Sequence, residues 1–119
     1  MMQNKVLSLL GIAMRGHNLV SGELQTVEAI KNGSACLVII AGDASGNSRK
    51  LYSDKSSFYQ IPYVLFGTKE QLGKAIGKDE RSAVAVCDAG LARAIQKHLG
   101  SHDTADSEFG GMNGENKNT

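Results

Sequence analysis

Two cysteines in 119 residues are too few to build a disulfide framework. Cys36 lies in the apolar run 35–41 and Cys87 directly follows the run 83–86, so both read as small buried hydrophobes. That usage fits a reducing compartment. No apolar stretch approaches the ~18 residues that span a bilayer. Lys5 interrupts the apolar residues near the start, and the pattern lacks the continuous apolar middle and cleavage site of a signal peptide. A soluble, cytoplasmic chain with no membrane partner is expected.

Charge of one sign is also scarce. The formal net charge is +1, but it hides an asymmetry. Residues 101–119 carry Asp103, Asp106, Glu108 and Glu115 against Lys117, which leaves the body at +4. A mildly basic body permits a nucleic-acid partner without requiring one. The 101–119 stretch is rich in Gly, Asn and Ser, with Phe109 and Met112 its only large apolar side chains. It buries too little surface to offset its ordering entropy and reads as a disordered acidic tail. The expected organisation is therefore one domain over 1–100 and a tail over 101–119. No internal repeat precedes the tail.

What is present alternates between two periodicities. Val6, Leu9, Leu10, Ala13 and Met14 fall at helical spacing, and the first helix ends near Arg15–Gly16. A short extended piece at Leu19–Val20 follows. Ser21 is placed to cap a second helix with Leu24, Val27 and Ile30 facing inward, closed by Asn32–Gly33. Residues 36–41, CLVIIA, form a continuous β-branched run, as expected of a strand covered on both faces. Ser45 or Asn47 starts a third helix presenting Leu51, Tyr52, Phe58 and Tyr59 inward. Pro62 ends it and opens the strand 63–66.

Thr68-Lys69-Glu70-Gln71 matches a capping box for a fourth helix that buries Leu72, Ala75 and Ile76 and ends at Gly77. After the charged loop 78–81 comes a strand over 83–87. Asp88 then caps a last helix with Leu91, Ile95 and Leu99 in line. Buried strands separated by helices imply crossover connections with helices on both sheet faces. The expected fold is a single-domain three-layer α/β/α sandwich.

Catalysis finds no support. The loop Gly42-Asp43-Ala44-Ser45-Gly46-Asn47 lies where α/β sheets bind ligands, yet it matches neither common nucleotide fingerprint. It reads as a turn with helix caps. His17, His98 and His102 are scattered and share no zinc-type spacing with the cysteines. No nucleophile, base and orienting group assemble, so a protein that is not an enzyme, with no metal and no cofactor, is expected.

The other constellation is Arg15-Gly16-His17-Asn18 followed by Ser21-Gly22-Glu23-Leu24-Gln25. A helix start offers unpaired N–H groups and a partial positive charge, and Gly22 leaves room for a phosphate or base edge. Arg15, His17 and Asn18 supply donors nearby, with Lys31 farther along. Gln25 and Asn18 can pair with base edges. A plain capped surface helix accounts for the same residues.

Residues 20–43, VSGELQTVEAIKNGSACLVIIAGD, resemble the segment that defines the kink-turn-binding ribosomal-protein family of L7Ae type. Ile61-Pro62-Tyr63-Val64, the stretch TKEQLGKAIG over 68–77 and the run AVAV over 83–86 follow in that family's order and spacing. The likeness covers about residues 4–99 and is closest to the short bacterial YlxQ-like branch. It implies an α/β/α sandwich with a small mixed central sheet and an RNA partner, ribosomal RNA included. It also implies an RNA site made from the second helix start and the loop before the last strand.

The family's motif at that helix, Gly-Thr-Asn-Glu-x-x-Lys, aligns with Gly22-Glu23-Leu24-Gln25-Thr26-Val27-Glu28. Gly22 is kept. Leu24 replaces the Asn and Gln25 the Glu that hydrogen-bond guanines in the family, and Glu28 replaces a phosphate-facing Lys. By the inward spacing above, Leu24 also reads as core. Lys78 and Arg81 belong to the second contact loop, where relatives carry apolar residues. The resemblance therefore implies an RNA-binding protein whose departures argue against tight binding of a standard kink-turn. The alternative is a protein-interaction module on the same fold that has lost RNA readout.

Overall fold

The computed structural model describes residues 2–100; the acidic tail expected from residue 101 lies outside the described residues. Nine elements follow in order: α1 (Met2–Arg15), β1 (Leu19–Ser21), α2 (Glu23–Lys31), β2 (Leu37–Ile40), α3 (Gly46–Phe58), β3 (Tyr63–Leu65), α4 (Lys69–Ala75), β4 (Ala83–Val86) and α5 (Ala89–Gly100). No helix among the described residues is long and apolar enough to cross a membrane.

The four strands form one mixed sheet in the order β1-β4-β2-β3. β4 runs antiparallel to both β1 and β2, whereas β2 and β3 are parallel. Helices α2 and α3 pack together on one face, α2 against β1 and β4, α3 against β2. On the other face, α1 packs on α4 and α5, which lie against β4. The chain is thus the three-layer sandwich with a mixed sheet that its sequence implies.

Every residue of the central strands β2 and β4 is buried, which explains why both read as unbroken apolar runs. Val6, Leu10 and Ala13 of α1, Leu72 of α4 and Ile95 and Leu99 of α5 close one side of the core. Burial of such side chains contributes ~1.5–3 kcal/mol each.

Local caps set the helix starts. Ser48 N donates to Ser45 Oγ at 3.1 Å, so Ser45 rather than Asn47 begins α3. Leu91 N donates to Asp88 Oδ2 at 2.8 Å. The Thr68 box is complete: Gln71 N donates to Thr68 Oγ1 at 3.1 Å, and Thr68 N donates to Gln71 Oε1 at 3.0 Å. Thr68→Ala is expected to cost about 1 kcal/mol, read as a fall in Tm of about 4–8 °C.

Three inward assignments, in two helices, are corrected. In α2 the buried residues are Thr26, Ala29 and Ile30, while Leu24 is 84% exposed. Helix geometry explains this: at ~100° per residue, Leu24 lies ~120° around the axis from Ile30. The small side chains of Thr26 and Ala29 let the helix settle on β1 and β4. In α3, Tyr52 and Ser56 face inward one turn apart, while Phe58 is 78% exposed and Tyr59 is also exposed. Cys36 and Cys87 are free and half-buried rather than fully buried. Burial still pushes the Cys87 thiol pKa up, and the nearby Cys36 adds to that, against a hydrogen bond with Ser34 that lowers it.

Candidate functional site

The second helix starts one residue later than its sequence suggests. Ser21 stays extended because it pairs with Val84 in the β1–β4 ladder, so the capping position passes to Gly22. No side chain caps this helix at that position. Gly22 adopts φ 86°, ψ 151°, a conformation open essentially to glycine alone. A methyl group built there meets nothing within 4 Å, so the backbone can be approached closely. Glu23, Leu24 and Gln25 of the first turn are all exposed, and the N–H groups of a first turn have no intrahelical acceptor.

Ser21 has a different task. Its Oγ accepts a hydrogen bond from Arg81 Nε at 3.0 Å, across 60 residues of sequence. Arg81 Nη1 also donates to the carbonyls of Asp79 and Glu80 at 3.3 and 3.0 Å. The guanidinium is thereby held against the end of β1, immediately before the Gly22 helix start. Arg81 N donates to the Lys69 carbonyl at 3.1 Å, and Lys78 N to that of Gly73 at 2.8 Å, fastening the loop to α4. Gly73 makes this seating possible, since a Cβ there would overlap the Asp79 carbonyl. Lys78 is exposed on the same loop.

Tyr52 is a residue of this region that sequence reasoning placed only in the core. It is buried, and its hydroxyl pKa is raised first by burial and then by the charge of Glu23. The geometric basis is the packing of α3 against α2. Only the aromatic signal in α3 was available to find it; its relation to Glu23 is a tertiary fact.

The remaining candidates are not all gathered. Ser21, Gly22, Glu23, Leu24, Gln25 and Arg81 share one end of the sheet. Arg15, His17 and Asn18 sit beyond the other end of β1, where the Asn18 carbonyl accepts from Cys87 N at 2.7 Å. A strand of this length separates the two ends by ~10 Å. Lys31 lies at the far end of α2, ~12 Å along the axis. Leu24 and Gln25 also line a groove of about 520 Å³ that continues along α2 past Glu28 and Ala29 to Asn32. Leu24, assigned to the core by its spacing, is an exposed wall of that groove.

This geometry can hold an anion or a base edge at the α2 start, with Arg81 as the charged donor and Gln25 as an amide able to pair with a base. Residues 4–96 match the model of the ribosomal protein L7Ae/L30e/S12e/Gadd45 family. An RNA-binding protein YlxQ of Bacillus subtilis (strain 168) is 41% identical over 87 residues, covering 73% of this chain and 87% of that protein. Its namesake from Enterococcus faecium is 36% identical, covering 80% and 91% respectively. Among solved structures, a protein of unknown function from Bacillus halodurans C superposes with a TM-score of 0.75 at 45% identity, over 79% of this chain and 95% of that one. The chain belongs to the ribosomal protein L7Ae/L30e/S12e/Gadd45 family.

Proposed function

We propose that this protein is a non-enzymatic, cytoplasmic RNA-binding protein that recognises structured RNA, ribosomal RNA included, without standard kink-turn specificity. The observation that carries the reading is the Arg81–Ser21 hydrogen bond. It joins the second helix start and the loop before β4 into one surface, the two regions through which this family's resemblance implies RNA contact. Relatives named for binding RNA support the same partner.

The mechanism is positioning rather than chemistry. Gly22 admits a phosphate or base edge to the first-turn N–H groups, and Arg81 neutralises charge beside it. Gln25 offers a neutral amide to a base. Leu24 donates nothing, and Glu28 repels phosphates, so the pattern that reads tandem G·A pairs is missing. Arg15, His17, Asn18 and Lys31 lie outside this surface and are assigned no direct contact with the same RNA element.

Fluorescence-anisotropy titrations with a kink-turn hairpin, the same hairpin with its G·A pairs disrupted, and plain duplex RNA test the reading. The two hairpins are expected to bind within about threefold of each other, with affinity falling steeply as salt rises. A kink-turn preference above a hundredfold contradicts the specificity proposed here. No binding at low salt contradicts RNA binding itself, and would favour the protein-interaction reading that the exposed Leu24 supports.

A further inference from the structure

A second surface lies along α3, where Asn47, Lys50, Asp54, Phe58 and Tyr59 are exposed. Asn47, Lys50, Leu51, Asp54, Lys55, Phe58 and Tyr59 line an open groove of about 540 Å³, with two lysines against one carboxylate. The spacing of these residues places them on one helical stripe running ~16 Å from Asn47 to Phe58. Phe58 is 78% exposed, an unusual position for a large apolar ring in a domain that buries Tyr52 from the same helix. Its ring packs edge-to-face with Tyr59 at 4.9 Å and 77°. The contact braces Phe58 and leaves the two ring faces nearly perpendicular, each able to take a separate base.

Charge indicates what the platform receives. The sequence of α3, GNSRKLYSDKSSF, carries Arg49, Lys50 and Lys55 against the single acid Asp54. Lys50 Nζ meets Asp54 at 3.0 Å, but both side chains are largely exposed. A surface pair of this kind contributes ~0–1 kcal/mol, so a phosphate can take Lys50 from its partner at little cost. Protein-binding patches are depleted in lysine at their centre. Aromatic faces interleaved with lysines instead match single-stranded nucleic acid, whose bases stack while phosphates meet the cations.

Position adds a third argument. Ile40 pairs with Ala83, and Ser21 with Val84, so the end of β2 that leads into α3 lies at the same sheet end as the α2 start. There α3 also packs against α2. An RNA held at the Gly22–Arg81 surface thus lies at the sheet end from which α3 departs.

We infer that the α3 groove binds a single-stranded RNA segment flanking the structured element, with bases stacked on Phe58 and Tyr59 and phosphates held by Lys50 and Lys55. The inference rests on the proposed RNA-binding function and extends its footprint to a second helix.

The test uses the full chain and two labelled hairpins, one blunt and one with a six-nucleotide uridine extension. Wild type is expected to bind the extended hairpin about tenfold tighter. Phe58→Leu keeps an apolar side chain but removes the aromatic face, and should abolish that gain while leaving blunt-hairpin affinity unchanged. Lys50→Gln with Lys55→Gln should do the same through the phosphates, and Phe58→Trp should preserve it. Equal affinity for the two hairpins, or a Phe58→Leu variant that retains the gain, overturns the groove assignment alone. Failure of wild type to bind either hairpin overturns the underlying function as well. If sedimentation shows a dimer that Phe58→Leu dissociates, with no effect of the extension, the groove belongs to a second copy and the inference fails.

Discussion

Arg81→Ala is expected to weaken binding of a structured RNA hairpin about 5- to 150-fold, the range set by losing ~1–3 kcal/mol at a nucleic-acid contact. Arg81 is not a free surface cation. Its Nε is held by Ser21 Oγ and its Nη1 by two carbonyls of its own loop. A fixed guanidinium presents charge at one place without first losing side-chain entropy. Arg81→Lys should therefore restore the salt dependence but recover only part of the affinity, because an ammonium on a flexible stem cannot reproduce the fork. Ser21→Ala removes one restraint and leaves the charge, so its loss should be smaller than that of Arg81→Ala. Binding isotherms at two salt concentrations separate these effects. If Arg81→Ala binds as wild type does, the loop before β4 is not part of the RNA surface.

Gly73→Ala should produce the largest loss of stability, about 2–3 kcal/mol, as overpacking against an immovable neighbour does. The obstruction is backbone, the Asp79 carbonyl and the adjoining Glu80 Cα, which cannot rotate away as a side chain would. Either α4 or the loop carrying Arg81 must move. A fall in Tm of roughly 10–20 °C is expected for a domain of this size, together with weakened RNA binding. Gly46→Ala provides the contrast, since a methyl group there meets nothing within 4 Å. That variant should stay within ~0.5 kcal/mol of wild type. A Gly73→Ala protein melting with wild type would contradict the close seating of the loop on α4.

The parts of this structure legible in the sequence are those decided locally. The Thr68–Gln71 box closes over three residues, and its side chains find their partners without help from the rest of the chain. The run over 36–41 reads as a covered strand because both of its faces are in fact buried. Leu24 and Phe58 read as inward because they are apolar and near the helical spacing. Their angular positions put them outside, while Thr26 and Ser56 take buried places by being small.

The geometry around the α2 start departs from its sequence reading for a different reason. Ser21 looks like a helix cap in isolation, but pairing with Val84 holds it in a strand and gives its hydroxyl to Arg81. Neither partner can be found by scanning a local window. The same short strand carries Arg15, His17 and Asn18 away from Gly22, although they are near neighbours in sequence. Tyr52 approaches Glu23 only after α3 has packed against α2.

The most direct test of the RNA surface is an amide chemical-shift titration of the isotope-labelled protein with a structured RNA hairpin at low salt. The largest shifts are expected at Gly22, Glu23, Leu24 and Gln25 and, with them, at Lys78 and Arg81, while Arg15 and His17 at the opposite sheet end stay in place. Shifts confined to the Arg15–His17 end, or none at the Gly22 helix start at saturation, would contradict the account.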